Sequence, residues 1–369
     1  MVYNVVYLLI LLFWGFSTLR GTDKRKSFLQ ACFLMLGLLS AFRFQNESSD
    51  FSVNYIRVIQ AYSMSWTEVL NYSSEWLHQV IRKLIALIFR DPQWYFILTS
   101  LFIVGSYMKF AYKHVHNVYV YVILYYAVFS YFSGHNITRQ ALAVSIALWS
   151  WDAMLNKQLG RYLMIMLAAT FIHTSAVFFI PLYFLADIKV NRQNVLLYLC
   201  GAAVIIVLYR PIMLIMQRFL YQNYIGKAYG LEASNSLRLV LAVIAVGAVI
   251  LFTSNTANIE KREGIVEKET YYQFRQQNII CHGTIFYTIC TVISCVGVLL
   301  FSRVAMWYAP CLLLCIDKAL ASLNQKNRRV LVFFAFIFAT AWFVIMNATG
   351  SLIPTPYTPF WNFPDRMKI

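Results

Sequence analysis

Two polar clusters interrupt long apolar runs in this chain, and they hold the residues best suited to chemistry. The first is Gly134-His135-Asn136-Ile137-Thr138-Arg139-Gln140-Ala141-Leu142-Ala143 and the second is Phe171-Ile172-His173-Thr174-Ser175-Ala176. Histidine is the residue type whose charge changes near neutrality, and the His173 imidazole can accept a proton from a hydroxyl. Arg139 brings a planar cation whose fork matches phosphate oxygens. Thr138 is placed to cap a helix, which puts Arg139 in a first turn, where a cation opposes the helix dipole and calls for an anionic partner such as a phosphate. Ionisable groups at such depth cost free energy and persist mainly where they act. The plainer readings are a satisfied core histidine at 173 and an arginine at 139 snorkelling to lipid headgroups.

The elements that must position these groups are membrane helices. The chain has 369 residues, 60% of them hydrophobic and only 12% charged, against about 25% charged in a soluble domain. Its mean hydropathy is +0.61. Apolar stretches long enough to cross a bilayer fall near 2–19, 27–43, 94–112, 117–133, 139–155, 194–210, 236–253, 284–301, 303–320 and 330–347. The expected fold is therefore all-α, a polytopic integral membrane protein with about 10–12 membrane helices in a single transmembrane domain, 1–369. The segment 161–187 is apolar except around His173, which suggests a broken or re-entrant pair of half-helices, each about 20 Å long. With that break, Lys24, Arg25, Lys113, Lys157, Arg161, Lys189, Arg192, Lys261, Arg262, Lys268, Lys326 and Arg328 all fall on one, cytoplasmic, side. The segment 44–93 then becomes an external loop. Within it Trp76–Phe89 has Leu77, Val80, Ile81, Leu84, Ile85 and Ile88 on one face and His78, Arg82 and Lys83 on the other, as in a helix lying in the interface. Residues 211–224 are a second such stretch, and 254–283 reads as a polar cytoplasmic connector.

Net charge is +16. In a membrane protein this reports topology before nucleic acid, and no nucleic-acid partner is expected. The cations assigned outside are nearly all arginine: Arg43, Arg57, Arg82, Arg90, Arg139, Arg210, Arg218, Arg238, Arg303 and Arg366. Such a surface suits either lipid headgroups or a lipid-linked pyrophosphate. Arg210 and Arg303 end spans at that face, with Tyr308 shortly after the latter, and the acids expected beside them are Asp50 and Glu75. Asp152 and Asp317 fall near cytoplasmic helix ends and read as structural. The seven cysteines form neither a CxxC nor a zinc spacing. No HExxH, GxSxG, Walker loop or DxD motif is present, so neither a metal nor another cofactor is expected.

Arg139-Gln140-Ala141-Leu142-Ala143 followed by His173-Thr174-Ser175-Ala176 resembles the EpsG-like family of Wzy polysaccharide polymerases, whose members show an R-Q-x-x-A helix start and a downstream H-x-S-A. The family's G-T-D-Y and E-P-G-F elements correspond to Ser48-Ser49-Asp50-Phe51 and Ser74-Glu75-Trp76-Leu77, where the acid is kept and the glycines and proline are not. The resemblance implies a GT-C-like membrane glycosyltransferase of the bacterial inner membrane, independent of metal, with its site facing the periplasm. It would move a glycan from undecaprenyl pyrophosphate onto a lipid-linked repeat unit, among membrane lipids and with a possible chain-length regulator as partner. His173, Arg139, Asp50 and Glu75 would be catalytic; Arg139, Arg303 and Arg210 would bind pyrophosphate; His135, Asn136, Gln140 and Tyr308 would bind glycan. An O-antigen ligase, a transporter or flippase of lipid-linked glycans, and a membrane acyltransferase are the rival readings.

Overall fold

A computed structural model describes residues 2–19, 24–44, 49–219, 236–260, 267–296, 300–349 and 357–362. Helices are the only extended elements among them. Six are long and apolar enough to cross a membrane: Gln93–His114, Arg192–Tyr209, Ser236–Ser254, Tyr271–Val296, Leu300–Ala321 and Gln325–Thr349. The protein is an all-α, multi-pass membrane protein. The chain divides into two compact units, residues 1–177 with 324–369, and residues 178–323.

In the first unit, α1 (Val2–Leu19), α2 (Arg25–Ala41), α3 (Ser49–Ser63), α4 (Trp66–Asn71), α5 (Trp76–Phe89) and α6 (Gln93–His114) lead to the polar clusters. The stretches at 117–133 and 139–155 are not the single helices that their hydropathy suggests. The former is α7 (Val118–Leu124), a π-helical turn at Tyr125–Phe129 and α8 (Tyr131–Asn136). The latter is α9 (Thr138–Leu148) and α10 (Trp151–Leu155). The helix α11 (Leu159–Ile172) stops at His173, whose backbone is extended at φ −151° and ψ 113°, and a 3-10 turn, Thr174–Phe179, follows. The expected break at His173 is thus present.

Small residues let α2 and α6 cross closely: a Cβ on Gly37 would stand 3.0 Å from Leu101, and one on Gly105 would stand 3.3 Å from Phe33. Phe44, Phe51, Tyr55, Val58, Ile85, Ala86, Tyr95 and Phe96 form a core between α3, α5 and α6. The strand-like contact Arg43–Pro359 ties residues 357–362 to the end of α2, through Phe44 N–H to Thr358 O at 2.8 Å and Phe360 N–H to Phe42 O at 2.9 Å. Asp152 takes a structural role, paired with Lys113 and with His114 at 3.5 Å.

The helix α5 is amphipathic as expected, and its polar face packs on the protein together with Ile85 and Ala86. His78, Gln79, Arg82 and Lys83 are buried, while Leu84, Leu87 and Ile88 are exposed. An outward apolar face suits lipid, where an uncovered polar group has no water to bond. Lys83 shows how a cation is accommodated inside: its Nζ donates to the carbonyls of Ala61, Tyr62 and Met64 at 3.3, 3.2 and 2.5 Å, closing the C-terminus of α3.

The second unit contains α12 (Pro181–Leu185), α13 (Arg192–Phe219), α14 (Leu239–Glu260), α15 (Glu267–Val296) and α16 (Leu300–Ala321); α17 (Gln325–Thr349) returns to the first unit. The expected polar connector at 254–283 is largely helical, since α14 and α15 extend into it and only 261–266 lies outside the described residues. Pro211 sits inside α13 rather than opening an interfacial helix, and residues 220–224 of that stretch lie outside the described residues. On α15, His282 Nε2 meets Ile188 O at 2.8 Å, Asn278 donates to Ala186 O at 3.0 Å and Arg275 pairs with Asp187, fixing the turn after α12.

Candidate active site

Three of the expected residues meet at one carboxylate. Glu75 immediately precedes α5, Arg139 lies in the first turn of α9, and His173 ends α11. Arg139 Nη1 pairs with Glu75 Oε2. His173 Nδ1 lies 2.7 Å from Glu75 Oε1, which also accepts from the Thr174 N–H at 3.1 Å and faces the Thr174 hydroxyl at 3.4 Å. The break at His173 is what frees the Thr174 N–H from a helical partner and turns it toward the carboxylate. Trp76 packs its ring against Phe171, centroids 5.0 Å apart, which seats the start of α5 on α11.

The Glu75 and His173 side chains are each 13% exposed and that of Arg139 is 35% exposed, so the arginine forms the open edge. Burial by itself would raise the Glu75 carboxyl. The His173 hydrogen bond, the Arg139 and His173 charges and the Thr174 N–H together outweigh it and bring the group down to about 2. Glu75 is therefore an ionised acceptor for these donors. A carboxylate without a proton requires the hydrogen on His173 Nδ1. Nε2 is then the ring nitrogen that does not face the carboxylate. The anionic partner expected for Arg139 is this glutamate. Thr138 does not cap α9: its hydroxyl donates to Gly134 O at 3.3 Å and accepts from Arg43 at 3.3 Å.

The remaining expected residues are placed as follows. Asp50 is in the first turn of α3, Arg210 is in α13 and Asn136 ends α8, and all three side chains lie outside what is described. His135 and Gln140 are 2% and 1% exposed, with His135 lodged against the rings of Tyr131 and Phe132, so neither presents a polar edge to a glycan in this conformation. Arg303 and Tyr308 belong to the second unit. There Tyr308 is buried and its hydroxyl donates to Phe178 O.

Behind Glu75 stands a row of groups that the sequence places on the polar face of α5 but does not assign to the site. On the inner face of α5, one and two turns on, stand His78 and Arg82. His78 shares a 2.7 Å hydrogen bond with the Tyr95 hydroxyl, and Arg82 donates to Gln79 Oε1 at 3.0 Å and to Asn54 Oδ1. Burial pushes His78 well below its ordinary value, helped by the charges of Arg82, Arg139, His173 and Arg57. The i, i+3, i+7 spacing of Glu75, His78 and Arg82 was the available signal.

Neither a curated protein nor a solved structure matches the chain. The model of the EpsG family matches residues 26–360; with Glu75, Arg139 and His173 of its motifs gathered at one point, the chain belongs to the EpsG family.

Proposed function

We propose that this protein, a polysaccharide polymerase by family, joins lipid-linked repeat units by transferring a glycan from undecaprenyl pyrophosphate onto the next unit at the periplasmic face of the inner membrane. The observation that carries this reading is the Glu75–His173 pair with Arg139 at its open edge. In the proposed reaction a hydroxyl of the acceptor sugar gives its proton to His173 Nε2. Its oxygen bonds to the anomeric carbon of the donor, and the bond from that carbon to the pyrophosphate oxygen breaks with its electron pair. Glu75 holds the imidazole in the productive tautomer and stabilises the imidazolium that forms. Arg139 faces the leaving group, whose charge grows as the bond breaks. His173 is thus assigned as base and Arg139 as pyrophosphate ligand.

The test is complementation of a strain lacking the gene with wild type, Arg139→Ala or His173→Ala at matched expression, with the surface polysaccharide read as a gel ladder. The reading expects a ladder from wild type and a single-repeat band from each variant. A full ladder from both variants overturns the site. Loss of even the single repeat without the gene makes export or ligation the role instead.

A further inference from the structure

Two clefts flank one lysine near the far end of α6. Gln93 begins that helix, and Tyr95 beside it bonds His78 behind the candidate active site. Lys109 lies about 24 Å further along, at 1.5 Å per residue. The first cleft has a volume of about 130 Å³ and is lined by Lys109, Lys113, Trp149, Asp152 and Arg161. The second, of about 330 Å³, runs between α2 and α6. Its wall is apolar, with Leu29, Phe33, Met108 and Tyr112, and Lys26 and Lys109 are its charged members. Lys109 thus borders both clefts, and both lie within the first unit.

The first cleft brings three cations to one carboxylate. Asp152 is held by Lys113 and faces His114 at 3.5 Å. Lys109 Nζ stands 3.7 Å from the centre of the Trp149 ring, and Arg161 Nη1 lies 3.4 Å from Gln158 Oε1. The ring itself is fixed, because Trp149 Nε1 donates to Ser106 Oγ at 3.0 Å. A nearby arginine shows what a structural cation does here. Arg25 donates to the carbonyls of Ala111 and Val115 at 3.0 and 2.7 Å and closes the C-terminus of α6. Lys109 instead sits one turn inside a helix long enough to cross a membrane, and its side chain is exposed. A cation at that depth is costly until an anion meets it.

We infer that the two clefts together hold one anionic phospholipid, with its phosphate against Lys109 and Arg161 in the first and an acyl chain along the apolar wall of the second. Ammonium and guanidinium groups give a phosphate its stronger, charge-assisted hydrogen bonds, and basic pockets between membrane helices take anionic headgroups. Tryptophan favours the level of the headgroups, which suits Trp149 as the wall between charge and chain. A soluble phosphate would use the first cleft alone. An apolar cleft sharing the same lysine favours a ligand with a charged end and a hydrocarbon tail. That the leaflet is the cytoplasmic one rests on the orientation proposed above; the site does not.

The test titrates the full chain, purified in detergent, with dioleoylphosphatidylglycerol or dioleoylphosphatidylcholine and counts bound lipid by native mass spectrometry. Wild type is expected to retain one phosphatidylglycerol about tenfold more tightly than phosphatidylcholine, the scale of one charge-assisted hydrogen bond. Lys109→Gln and Arg161→Gln are each expected to weaken phosphatidylglycerol binding about fivefold, the scale of one basic residue at an anionic surface. Lys109→Arg keeps the charge and is expected to bind as wild type does. So is Lys189→Gln, which alters an exposed cation outside both clefts. Glycerol phosphate and inorganic phosphate, which have no chain, are expected to displace the lipid only at concentrations at least tenfold higher. Equal retention of the two lipids overturns the proposal, as does binding that neither Lys109→Gln nor Arg161→Gln weakens. Equal weakening by Lys189→Gln, or by Lys109→Arg and Lys109→Gln alike, overturns it too. Displacement by inorganic phosphate at equal concentration assigns the first cleft to a soluble anion, and displacement by a polyglutamate peptide assigns it to an acidic protein segment; either result overturns the lipid site.

Discussion

Replacing Glu75 by glutamine changes one oxygen for one amide and tests the whole arrangement. Both carboxylate oxygens accept: Oε1 from His173 and Thr174, Oε2 from Arg139. Glutamine has one acceptor oxygen and one NH2, so whichever way it turns, a donor faces a donor. If the amide nitrogen points to His173, the imidazole must place its lone pair on Nδ1 and its hydrogen on Nε2, the wrong tautomer for accepting a proton. If it points to Arg139, the guanidinium loses its counter-charge. A carboxyl carried from 4.5 to about 2 holds roughly 3 kcal/mol of interactions specific to its charged form. At about 1.4 kcal/mol per factor of ten, that is some two powers of ten if it is all used in orienting the base. Proton transfer by a positioned group contributes about 10²–10⁴-fold. The expected loss for Glu75→Gln is therefore about 100-fold or more in the rate of polymerisation. The assay is turnover of a synthetic lipid-pyrophosphate oligosaccharide by the purified variant, resolved as a ladder against time. A Glu75→Gln protein that folds and polymerises within a few-fold of wild type would refute the assignment of Glu75 as the group that orients His173.

The Glu75 carboxyl is lowered in the folded protein, so its contribution to stability is present above about 4.5 and is lost as pH falls toward 2; melting followed from pH 6 to 2 should show a fall in wild type that is smaller in Glu75→Gln. Lys83→Met removes the donor that closes the C-terminus of α3 and should cost about 1–3 kcal/mol, read as a lower melting temperature. Gly283→Ala in α15 would place a Cβ 2.7 Å from Cys311 Cβ on α16 and should destabilise the protein by about 1–3 kcal/mol. Adding Cys311→Gly should recover part of that loss; no effect of Gly283→Ala on melting would show that the two helices are not held at this separation.

The chemistry was legible where residue type and position coincide. His173 between two apolar stretches, Arg139 in a first turn and Glu75 before an amphipathic run each carried a local signal, and the helix break followed from the polar residues at 173–175. What the sequence did not disclose is orientation. The period of α5 separates a polar from an apolar face, but whether the polar face meets water or protein depends on what covers it, and in lipid that choice is reversed from the usual one. The groups on that face, His78, Arg82 and Lys83, were consequently counted as an outer surface. The breaks inside 117–133 and 139–155 were missed for a related reason, since the apolar content of those stretches is continuous across the π-helical turn and the Ser150 junction. Tyr308 and Gln140 show the remaining limit: a polar side chain near a motif can be turned into the core by a backbone carbonyl or by tight packing.

The bonds at Glu75 are also a matter of timing. Lys83 finds its carbonyls 19 to 22 residues back, so α3 and α5 can close on each other as soon as both are made. Glu75 must wait for Arg139, 64 residues on, and for His173, 98 residues on. At translation rates of about 5–20 residues per second, that interval is roughly 5–20 s. During it the newly inserted hairpin presents a carboxylate that still lacks its partners, and later the end of α11 emerges with the Thr174 N–H beyond it still to be claimed. Glu75 is thus a latch that cannot close until α11 is made, and the candidate active site comes into being at the moment it closes.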